Sequence, residues 1–373
     1  MQITKISEYN SSFRGWVPKT IKGKEKVRSI NNLLEKSKIN SIAISGHYNP
    51  DGDAIGSTFA MGYLLNKKTG IRPDIYVFGE IPKRFSYLID KEKINVIKSN
   101  DNFDKQQYDL AVSVDVSKEN LVPLSYLKNI FKLAKNTIKI DHHIIKQDFA
   151  DINYVDSKTS SAAQVVMQLV KGLNILPKSL PEQFNESVYT GMITDTKNFS
   201  VATNINTFKD AALLVKNGLN IEKTTEQTYS NIPQEIQGLI NLAKQKVKYS
   251  EDGKLVYLFS DNELEAYKSK ISSPDLEYDI RNRLKDLTND LRKTEGVEIS
   301  ISITPEIKDG EKLLYVSARS NDIDINELAQ RYGRGGHKKA AGFFLKIENS
   351  MEETAQKAVK IYEDYIKEKL ENI

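Results

Sequence analysis

The sequence contains no cysteine, and this absence excludes disulfide bonds and thiolate metal sites. It has no apolar run near the roughly 20 residues that a membrane-spanning helix needs, and its first residues lack the charged start and apolar stretch of a secretory signal. Neither sign of charge dominates, because 54 basic side chains are offset by 50 acidic ones, for a net charge of +4. We therefore expect a soluble cytoplasmic protein that does not bind membranes, and the charge demands no nucleic-acid partner.

Histidine is also scarce, with four in 373 residues. His47, His142 and His143 follow predicted strands, and His337 lies in a glycine-rich segment. Taken singly, each would more often be an ordinary core or surface residue. Because no histidine is left to be scattered elsewhere in the chain, their grouping favours a functional site over separate structural roles.

The apolar pattern of residues 29–220 is typical of an α/β domain with a parallel sheet covered by helices on both faces. Short apolar runs that predict strands alternate there with amphipathic patterns that predict helices. The predicted strands are 39–45, 73–79, 108–115 and 136–141, and the predicted helices are 54–66, 161–170 and 206–217.

The second half of the chain has a different pattern. From about 222 to 250 it is polar and helical, and after the turn at 251–253 the apolar residues alternate with a period of two. A charged helix over 350–371 closes the chain. We predict a parallel-sheet domain over 1–221, a helical connector over 222–250 and a smaller mixed-sheet α/β domain over 251–373.

Acidic and imidazole side chains follow the predicted strands of the first domain. The first strand leads into His47, Asp51 and Asp53, the third ends on Asp115, and the fourth ends on the triplet 141–143, Asp-His-His. Because the carboxyl ends of parallel strands meet at one edge of a sheet, we expect these residues to lie together. Asp195 follows another apolar stretch, although a lone Asp before Thr is commonly a cap or turn residue.

Such a donor set indicates divalent metal. Aspartates and imidazoles without thiolates suit Mn²⁺, Mg²⁺ or Co²⁺, and Zn²⁺ less distinctively. Five or six ligands exceed the needs of one ion and can hold two ions about 3.5–4 Å apart, which activate water and bind the oxygens of a phosphoryl group. The glycines of N-P-D-G-D let the backbone and a phosphate approach closely.

Ordered motifs over nearly the whole chain resemble those of the DHH phosphoesterases. The first motif is G-H-Y-N-P-D-G-D-A-I-G-S (46–57), the second V-S-V-D (112–115), the third I-D-H-H (140–143) and the fourth T-D-T-K-N-F (194–199). Y-G-R-G-G-H-K-K-A-A-G-F (332–343) resembles the glycine-rich motif of the DHH-associated substrate domain. The resemblance therefore implies a DHH catalytic domain followed by a DHH-associated domain.

The resemblance also implies roles for individual residues. Metal ligands would be His47 and Asp51 for one ion, Asp53, His142 and Asp195 for the other, and Asp115 as the bridge. His143, Asp115 and Asp141 would be catalytic, with His143 toward the substrate and Asp141 supporting the histidines from behind. The implied substrate-binding residues are Arg319, Ser320, Arg334, Gly335, Gly336 and His337. We expect two Mn²⁺ ions, with Mg²⁺ or Co²⁺ as alternatives.

Chain length narrows the implied activity. At this length we expect neither the extra domain of the single-strand-specific DNA exonucleases nor the transmembrane and sensor domains of the membrane-bound cyclic-dinucleotide phosphodiesterases. What remains resembles the compact bacterial oligoribonucleases, which implies hydrolysis of short single-stranded RNA and linear dinucleotides to mononucleotides, together with removal of the 3′-phosphate of pAp. An exopolyphosphatase, a pAp-specific phosphatase and a non-catalytic nucleotide-binding sensor are the alternatives.

Three residues depart from the family pattern. Lys197 replaces the glycine of the fourth motif, Arg334 interrupts the glycine run of the C-terminal motif, and Asn120 stands where an arginine often follows the second motif. None of them removes a predicted metal ligand, so we expect them to affect substrate preference and not catalysis. A homodimer through the first domain or the connector is compatible with the sequence, which does not locate an interface.

Overall fold

The structure, a computed structural model, describes residues 21–99, 103–144, 147–230, 232–272, 274–308 and 310–371. The first 20 residues of the predicted catalytic domain lie outside this set. The chain divides into an N-terminal unit, Met1–Asn231, and a C-terminal unit, Ile232–Ile373. Among the described residues, none of the helices combines the length and the apolar character that a bilayer crossing requires.

The N-terminal unit contains a parallel sheet. Its described strands are β1 Ile42–Ser45, β2 Asp74–Phe78, β3 Asn95–Ser99, β4 Leu110–Val114, β5 Thr137–Asp141 and β6 Ile152–Val155. They pair in the order β3-β2-β1-β4-β5-β6, and every pair is parallel. The strand order reverses between β1 and β4, and ligands of such sheets bind beyond the carboxyl ends of the strands at this point. The predicted parallel-sheet fold is confirmed.

Helices surround this sheet. They are α1 Ile21–Lys36, α2 Gly52–Thr69, α3 Leu124–Asn129, α4 Ala162–Gly172, α5 Glu182–Asp195, α6 Ile205–Lys216 and α7 Ile221–Tyr229, with short 3₁₀ turns at Lys83–Leu88, Glu119–Leu121, Phe131–Leu133 and Pro177–Ser179. Helices α2 and α5 pack closely because Gly56 has no side chain: a Cβ there would lie 2.9 Å from the backbone nitrogen of Gly191. Both helices are almost wholly buried as a result.

The C-terminal unit contains a mixed sheet, as predicted. Its described strands are β7 Val247–Tyr249, β8 Leu255–Phe259, β9 Ile299–Lys308, β10 Glu311–Ser320, β11 Gly336–His337 and β12 Ala340–Lys346. They pair in the order β11-β12-β10-β9-β8-β7. Strands β8 and β9 are parallel, and the other neighbours are antiparallel. The helices of this unit are α8 Gln234–Gln245, α9 Asn262–Ile271, α10 Pro274–Leu291, α11 Ile325–Arg331 and α12 Met351–Leu370.

The segment predicted as a helical connector, 222–250, is divided between the units. Helix α7 belongs to the N-terminal unit, whereas α8 and the edge strand β7 belong to the C-terminal unit. The pattern of residues 222–250 did not predict β7, because this strand has three residues and only its first is even half-buried. Helix α8 is amphipathic and buries Ile236, Leu239 and Ala243 in a core of its own unit.

Candidate metal centre and active site

The predicted donor residues lie at the carboxyl ends of β1, β4 and β5. His47 and Asp51 follow β1, Asp115 follows β4, and the Asp-His-His triplet begins on the last residue of β5. Asp115 has a left-handed φ of 59°, and its N–H donates to the carbonyl of Ile140 at 2.9 Å. A non-glycine residue in this region is strained, and such strain is concentrated at functional sites. The strained turn directs the carboxylate of Asp115 toward the histidines.

The carboxylate of Asp115 lies between two imidazoles. Its Oδ2 is 3.7 Å from His47 Nε2, and its Oδ1 is 3.6 Å from His142 Nε2. Both distances are longer than hydrogen bonds, and the buried Oδ1 has no hydrogen-bond partner within the described residues. Oδ1 also lies 3.6 Å from His143 Nδ1. One oxygen therefore faces His47 and the other faces the two histidines of the triplet, which is the arrangement expected of a bridging ligand.

Two groups of donors share the neighbourhood of Asp115. In the first, His47 Nε2 lies 3.8 Å from Asp51 Oδ1. In the second, His142 Nε2 lies 3.8 Å from Asp53 Oδ2 and 3.4 Å from Asp195 Oδ2. The first group consists of His47, Asp51 and Asp115, and the second of Asp53, His142 and Asp195. Within each group, one donor atom per residue lies within 4.8 Å of the others. The structure thus brings together all six of the residues that the sequence predicts as metal ligands.

Asp195 reaches this centre through close helix packing. It is the last residue of α5, and Asp53 lies in the first turn of α2. A Cβ at Gly191 would lie 2.6 Å from Asp53 Oδ1, and a Cβ at Gly52 would lie 2.6 Å from the hydroxyl oxygen of Thr194. A larger residue at either glycine would therefore separate the two helices. Gly52 of the first motif and Gly191, three residues before the fourth motif, therefore allow the approach of Asp195 to Asp53.

Carboxylates crowd this centre. Burial, together with repulsion from neighbouring aspartates, raises the pKa of Asp53 well above its ordinary value and raises those of Asp115 and Asp195 to about 7. Although burial opposes it, the proximity of Asp51 and Asp115 raises the pKa of His47 to about 9. Hard oxygen and imidazole donors in a site with this excess of negative charge fit divalent cations such as Mn²⁺ or Mg²⁺.

Asp141 supports the two histidines that follow it. Its buried Oδ1 accepts hydrogen bonds from the backbone N–H groups of His142 at 2.8 Å and His143 at 3.2 Å, and from the ring Nδ1 of His143 at 2.8 Å. The last of these bonds raises the pKa of His143. The His143 side chain is 44% exposed, so its Nε2 remains available to a ligand.

Lys139 is a functional candidate that the sequence argument missed. Its side chain is fully buried, and its Nζ donates to the carbonyls of Ser117 and Gln147, both at 3.0 Å. The same nitrogen lies 3.3 Å from Asp141 Oδ2. One ammonium therefore connects the loop after Asp115, the loop after the triplet and Asp141 itself. Its signal in the sequence was a charged residue inside the apolar run T-I-K-I-D.

Lys197 stands at a strained position. Lys197, Asn198 and Phe199 are three consecutive residues with positive φ, at 47°, 56° and 63°. Glycine occupies such positions freely, whereas other residues incur a cost of about 1–2 kcal/mol each. The lysine that replaces the family's glycine therefore keeps the left-handed backbone and adds an exposed side chain two residues after Asp195.

The predicted substrate residues lie in the C-terminal unit, and two of them, Arg319 and Ser320, lie on opposite faces of β10. Arg319 is half-buried, and its Nη1 donates to the carbonyl of Ala318 at 2.7 Å. Ser320 is buried on the opposite face of β10, and its hydroxyl donates to the carbonyl of Ile323. Neighbouring residues of a strand alternate between the faces of the sheet, so Arg319 and Ser320 do not share one surface.

The glycine-rich segment is exposed at each of its predicted substrate residues, Arg334, Gly335, Gly336 and His337. The N–H of Gly336 donates to Asn326 Oδ1 at 2.7 Å. The guanidinium carbon of Arg334 lies 4.7 Å from the ring centroid of Phe344, a cation–π contact that fixes its position. This segment therefore presents positive charge at the surface of its unit.

Comparisons with known proteins agree with this architecture. The model of the DHH family, N-terminal domain, matches residues 41–192, and the model of the DHHA1 domain matches residues 277–368. The crystal structure of an exopolyphosphatase-related protein from Bacteroides fragilis has a TM-score of 0.73 at 20% identity and covers 92% of this chain and 96% of its own. That likeness shows the fold.

Sequence relatives extend over most of the chain. An uncharacterised protein of Mycoplasma genitalium, MG371, is 30% identical over 92% of this chain and 97% of its own length. The bifunctional oligoribonuclease and PAP phosphatase NrnA of Mycoplasma pneumoniae is 25% identical over 86% and 92%, and that of Bacillus subtilis is 24% identical over 82% and 90%. The chain belongs to the DHH family of phosphoesterases, with an N-terminal DHH domain followed by a DHHA1 domain.

Proposed function

We propose that this protein is a phosphodiesterase that hydrolyses short single-stranded oligoribonucleotides and linear dinucleotides to mononucleotides. It uses two divalent metal ions, of which Mn²⁺ is the preferred one. We further propose that it removes the 3′-phosphate of pAp. The DHH family supports the reaction class. Relatives named as bifunctional oligoribonucleases and PAP phosphatases support the substrate class.

The geometry of Asp115 carries the proposal. Its two carboxylate oxygens lie 3.7 Å from His47 Nε2 and 3.6 Å from His142 Nε2, so one residue joins both donor groups. A single-ion site would not need a carboxylate shared in this way. We assign His47, Asp51 and Asp115 to one ion, and Asp53, His142, Asp195 and Asp115 to the other.

Two such ions supply a water-derived nucleophile at neutral pH and neutralise charge on the phosphoryl group. The chain's own contribution lies around them. His143, held through Nδ1 by Asp141, directs Nε2 toward a phosphate oxygen and donates a hydrogen bond to it. Lys139 and Asp141 keep the triplet in place from the buried side.

The C-terminal unit provides the groups for a second phosphate. The guanidinium groups of Arg319 and Arg334 and the imidazole of His337 are suited to a terminal phosphate. The exposed backbone N–H of Gly335 can add a donor, whereas that of Gly336 is used by Asn326. We leave Ser320 out of this assignment because its hydroxyl is used inside the core.

The test is product analysis in the presence of Mn²⁺ with a 5′-phosphorylated dinucleotide, pAp and polyphosphate as separate substrates. We expect mononucleotides from the dinucleotide and AMP from pAp, and no products when a chelator replaces the metal. Phosphate released from polyphosphate alone would contradict the proposal and indicate an exopolyphosphatase. Metal binding without hydrolysis of any of the three would indicate a nucleotide-binding protein.

A further inference from the structure

One face of the mixed sheet carries side chains that the core of the C-terminal unit does not use. On β10, Leu314, Val316 and Ala318 are buried against α11 and α12, and the alternate residues point to the other face. Helices α8 and α10 pack on Leu258 of β8, and α10 also contacts β9. Over β9, β10 and β12 the face is mostly half-exposed, and its residues are Ser302, Thr304, Tyr315, Ser317, Arg319, Gly342 and Phe344.

An aromatic pair lies on this face, among residues with small side chains. Tyr315 and Phe344 are directly opposite each other on β10 and β12, with ring centroids 4.9 Å apart and planes at 44°. The tyrosine ring lies across Gly342, where a Cβ would be 2.7 Å from its hydroxyl oxygen. A larger residue at position 342 would therefore displace the ring. Both rings are half-exposed. The guanidinium of Arg334 and the ammonium of Lys308 lie over the Phe344 ring, 4.7 and 5.1 Å from its centroid, so the Tyr315 ring is the one available for stacking.

Arg319 adds an incompletely neutralised cation to the same face. Its Nη1 donates to the carbonyl of Ala318 at 2.7 Å and reaches the hydroxyl of Ser317 at 3.4 Å. In the described part of the chain, no carboxylate forms an ion pair with it. Burial lowers the pKa of Arg319, Tyr315 opposes this shift, and the charge of Arg292 adds a smaller decrease. The hydroxyl of Ser300, opposite Arg319 on β9, is buried and lacks a hydrogen-bond partner among the described residues.

We propose that this face is a nucleoside-binding subsite, in which Tyr315, held in place by Phe344, stacks with one base of the substrate and Arg319 binds the adjoining phosphate. The proposal rests on the proposed function and names the part of the protein that recognises the base. Tyr315 and Arg319 are four positions apart on β10, about 13 Å along the strand, and their side chains lie on the same face of the sheet. The hydroxyls of Ser302, Thr304 and Ser317 lie on the same face and are suited to the ribose.

Stacking determines what this subsite selects. Every base has a π-face, so an aromatic platform distinguishes a base from its absence and does not read sequence. The guanidinium of Arg334, which lies over the ring of Phe344, adds a positive charge that attracts an electron-rich base. We therefore expect the protein to accept different bases at this position and to lose affinity when the base is missing.

The experiment compares three 5′-phosphorylated dinucleotides: diadenylate and the two analogues in which one or the other adenine is replaced by an abasic unit. For the unmodified protein we expect the KM of one analogue to be about tenfold higher than that of diadenylate, with similar kcat. Tyr315→Leu should raise the KM of diadenylate about tenfold and leave the KM of that analogue unchanged. Tyr315→Phe keeps the ring and should behave as the unmodified protein. Tyr249→Leu, at an exposed tyrosine of β7 in the same sheet, is the matched control.

Two outcomes would overturn the subsite. One is equal KM values of the unmodified protein for all three dinucleotides, and the other is an equal rise for diadenylate and both analogues in Tyr315→Leu, which would indicate structural damage. A calorimetric titration with AMP separates this inference from the proposed function. If no dinucleotide is hydrolysed, AMP binding that Tyr315→Leu weakens at least fivefold and Tyr249→Leu does not would still support the subsite. Undetectable or unchanged AMP binding would refute it.

Discussion

Two aspartates at opposite ends of β4 are used in different ways. Asp109, just before the strand, accepts hydrogen bonds from the N–H of Asn40 at 2.8 Å and from Lys135 Nζ at 2.7 Å. Hydrogen bonding from Lys135 and then from Asn40 lowers its pKa to about 2. Asp115, just after the strand, has a buried oxygen without a hydrogen-bond partner in the described structure, and burial next to Asp51 raises its pKa to about 7.

Asp109 is therefore a carboxylate that stabilises the fold, whereas Asp115 is available to bind a ligand. At the amino edge of the sheet, the protein itself supplies the donors that a carboxylate needs. At the carboxyl edge, the carboxylates outnumber the donors, and the deficit fits cations from solution. The same contrast appears among the cations of the C-terminal unit, where Arg331 is paired with Glu368 and Glu327, and Arg334 contacts the ring of Phe344.

Replacement of the shared ligand should have the largest effect. Asp115→Asn removes a charge that both ions need and should lower kcat by about 10³-fold or more, the scale on which loss of a charge-stabilising group acts. Because the substitution also relieves repulsion within the carboxylate cluster, the melting temperature of the metal-free protein should not fall. Steady-state kinetics and thermal unfolding measure the two quantities. Full activity in Asp115→Asn would refute the assignment.

Loss of the buried ammonium should have the next largest effect. Lys139→Met keeps an unbranched side chain that is one atom shorter, and it leaves Asp141 without its buried counter-charge. We expect kcat to fall 10- to 100-fold while KM changes little. Asp141→Asn should lower kcat much less in the Lys139→Met variant than in the unmodified protein, because the two residues act as a unit. Additive losses in that double variant would show that Lys139 does not act through Asp141.

The two arginines test the contrast in the C-terminal unit. Arg334→Ala should raise the KM for a 5′-phosphorylated dinucleotide about fivefold or more, as expected when one charge-assisted contact to a phosphate is lost, with a smaller change in kcat. Arg331→Ala, three residues away, removes a guanidinium whose hydrogen bonds go to Glu368 and Glu327, so its KM should stay at that of the unmodified protein. Equal KM values for the two variants would argue against a phosphate contact at Arg334.

The smallest effect on activity is expected at Asp109. Its pKa is lower in the folded protein, about 2, than the value near 3.9 of an unfolded chain. Its ionised form therefore stabilises the fold above pH 4, and this contribution is lost as the pH falls toward 2. Asp109→Asn should reduce the free energy of unfolding at pH 7, with a difference that shrinks below pH 4, and should leave kcat unchanged. Urea unfolding across this pH range checks the sign, and a difference that grows at low pH would contradict it.

The sequence predicts the fold where strands are buried and apolar. Strands β1, β2, β4 and β5 lie within the predicted runs, whereas β3 and β6 were missed because these edge strands are mostly half-buried and include polar residues. Helix α5 was missed for the opposite reason. It is buried on nearly all sides against α2, α4 and α7, so its polar and apolar residues show no amphipathic period.

The sequence predicts the metal centre better than the substrate surface. Strand ends in a parallel sheet converge by topology alone, and this places His47, Asp115 and His142 together without knowledge of the packing. The approach of Asp195 depends on helix contacts at Gly56 and Gly191, which no local pattern reveals. In the C-terminal unit, strand alternation separates neighbours that a linear motif would group.

The central claim is that Asp115 joins two metal ions in one centre, and electron paramagnetic resonance of the protein with two equivalents of Mn²⁺ tests it most directly. The account predicts two ions bound per chain and an exchange-coupled spectrum in the unmodified protein, with the coupling lost in Asp115→Asn and retained in Asp109→Asn. A single bound ion, or two ions with independent spectra in the unmodified protein, would contradict it.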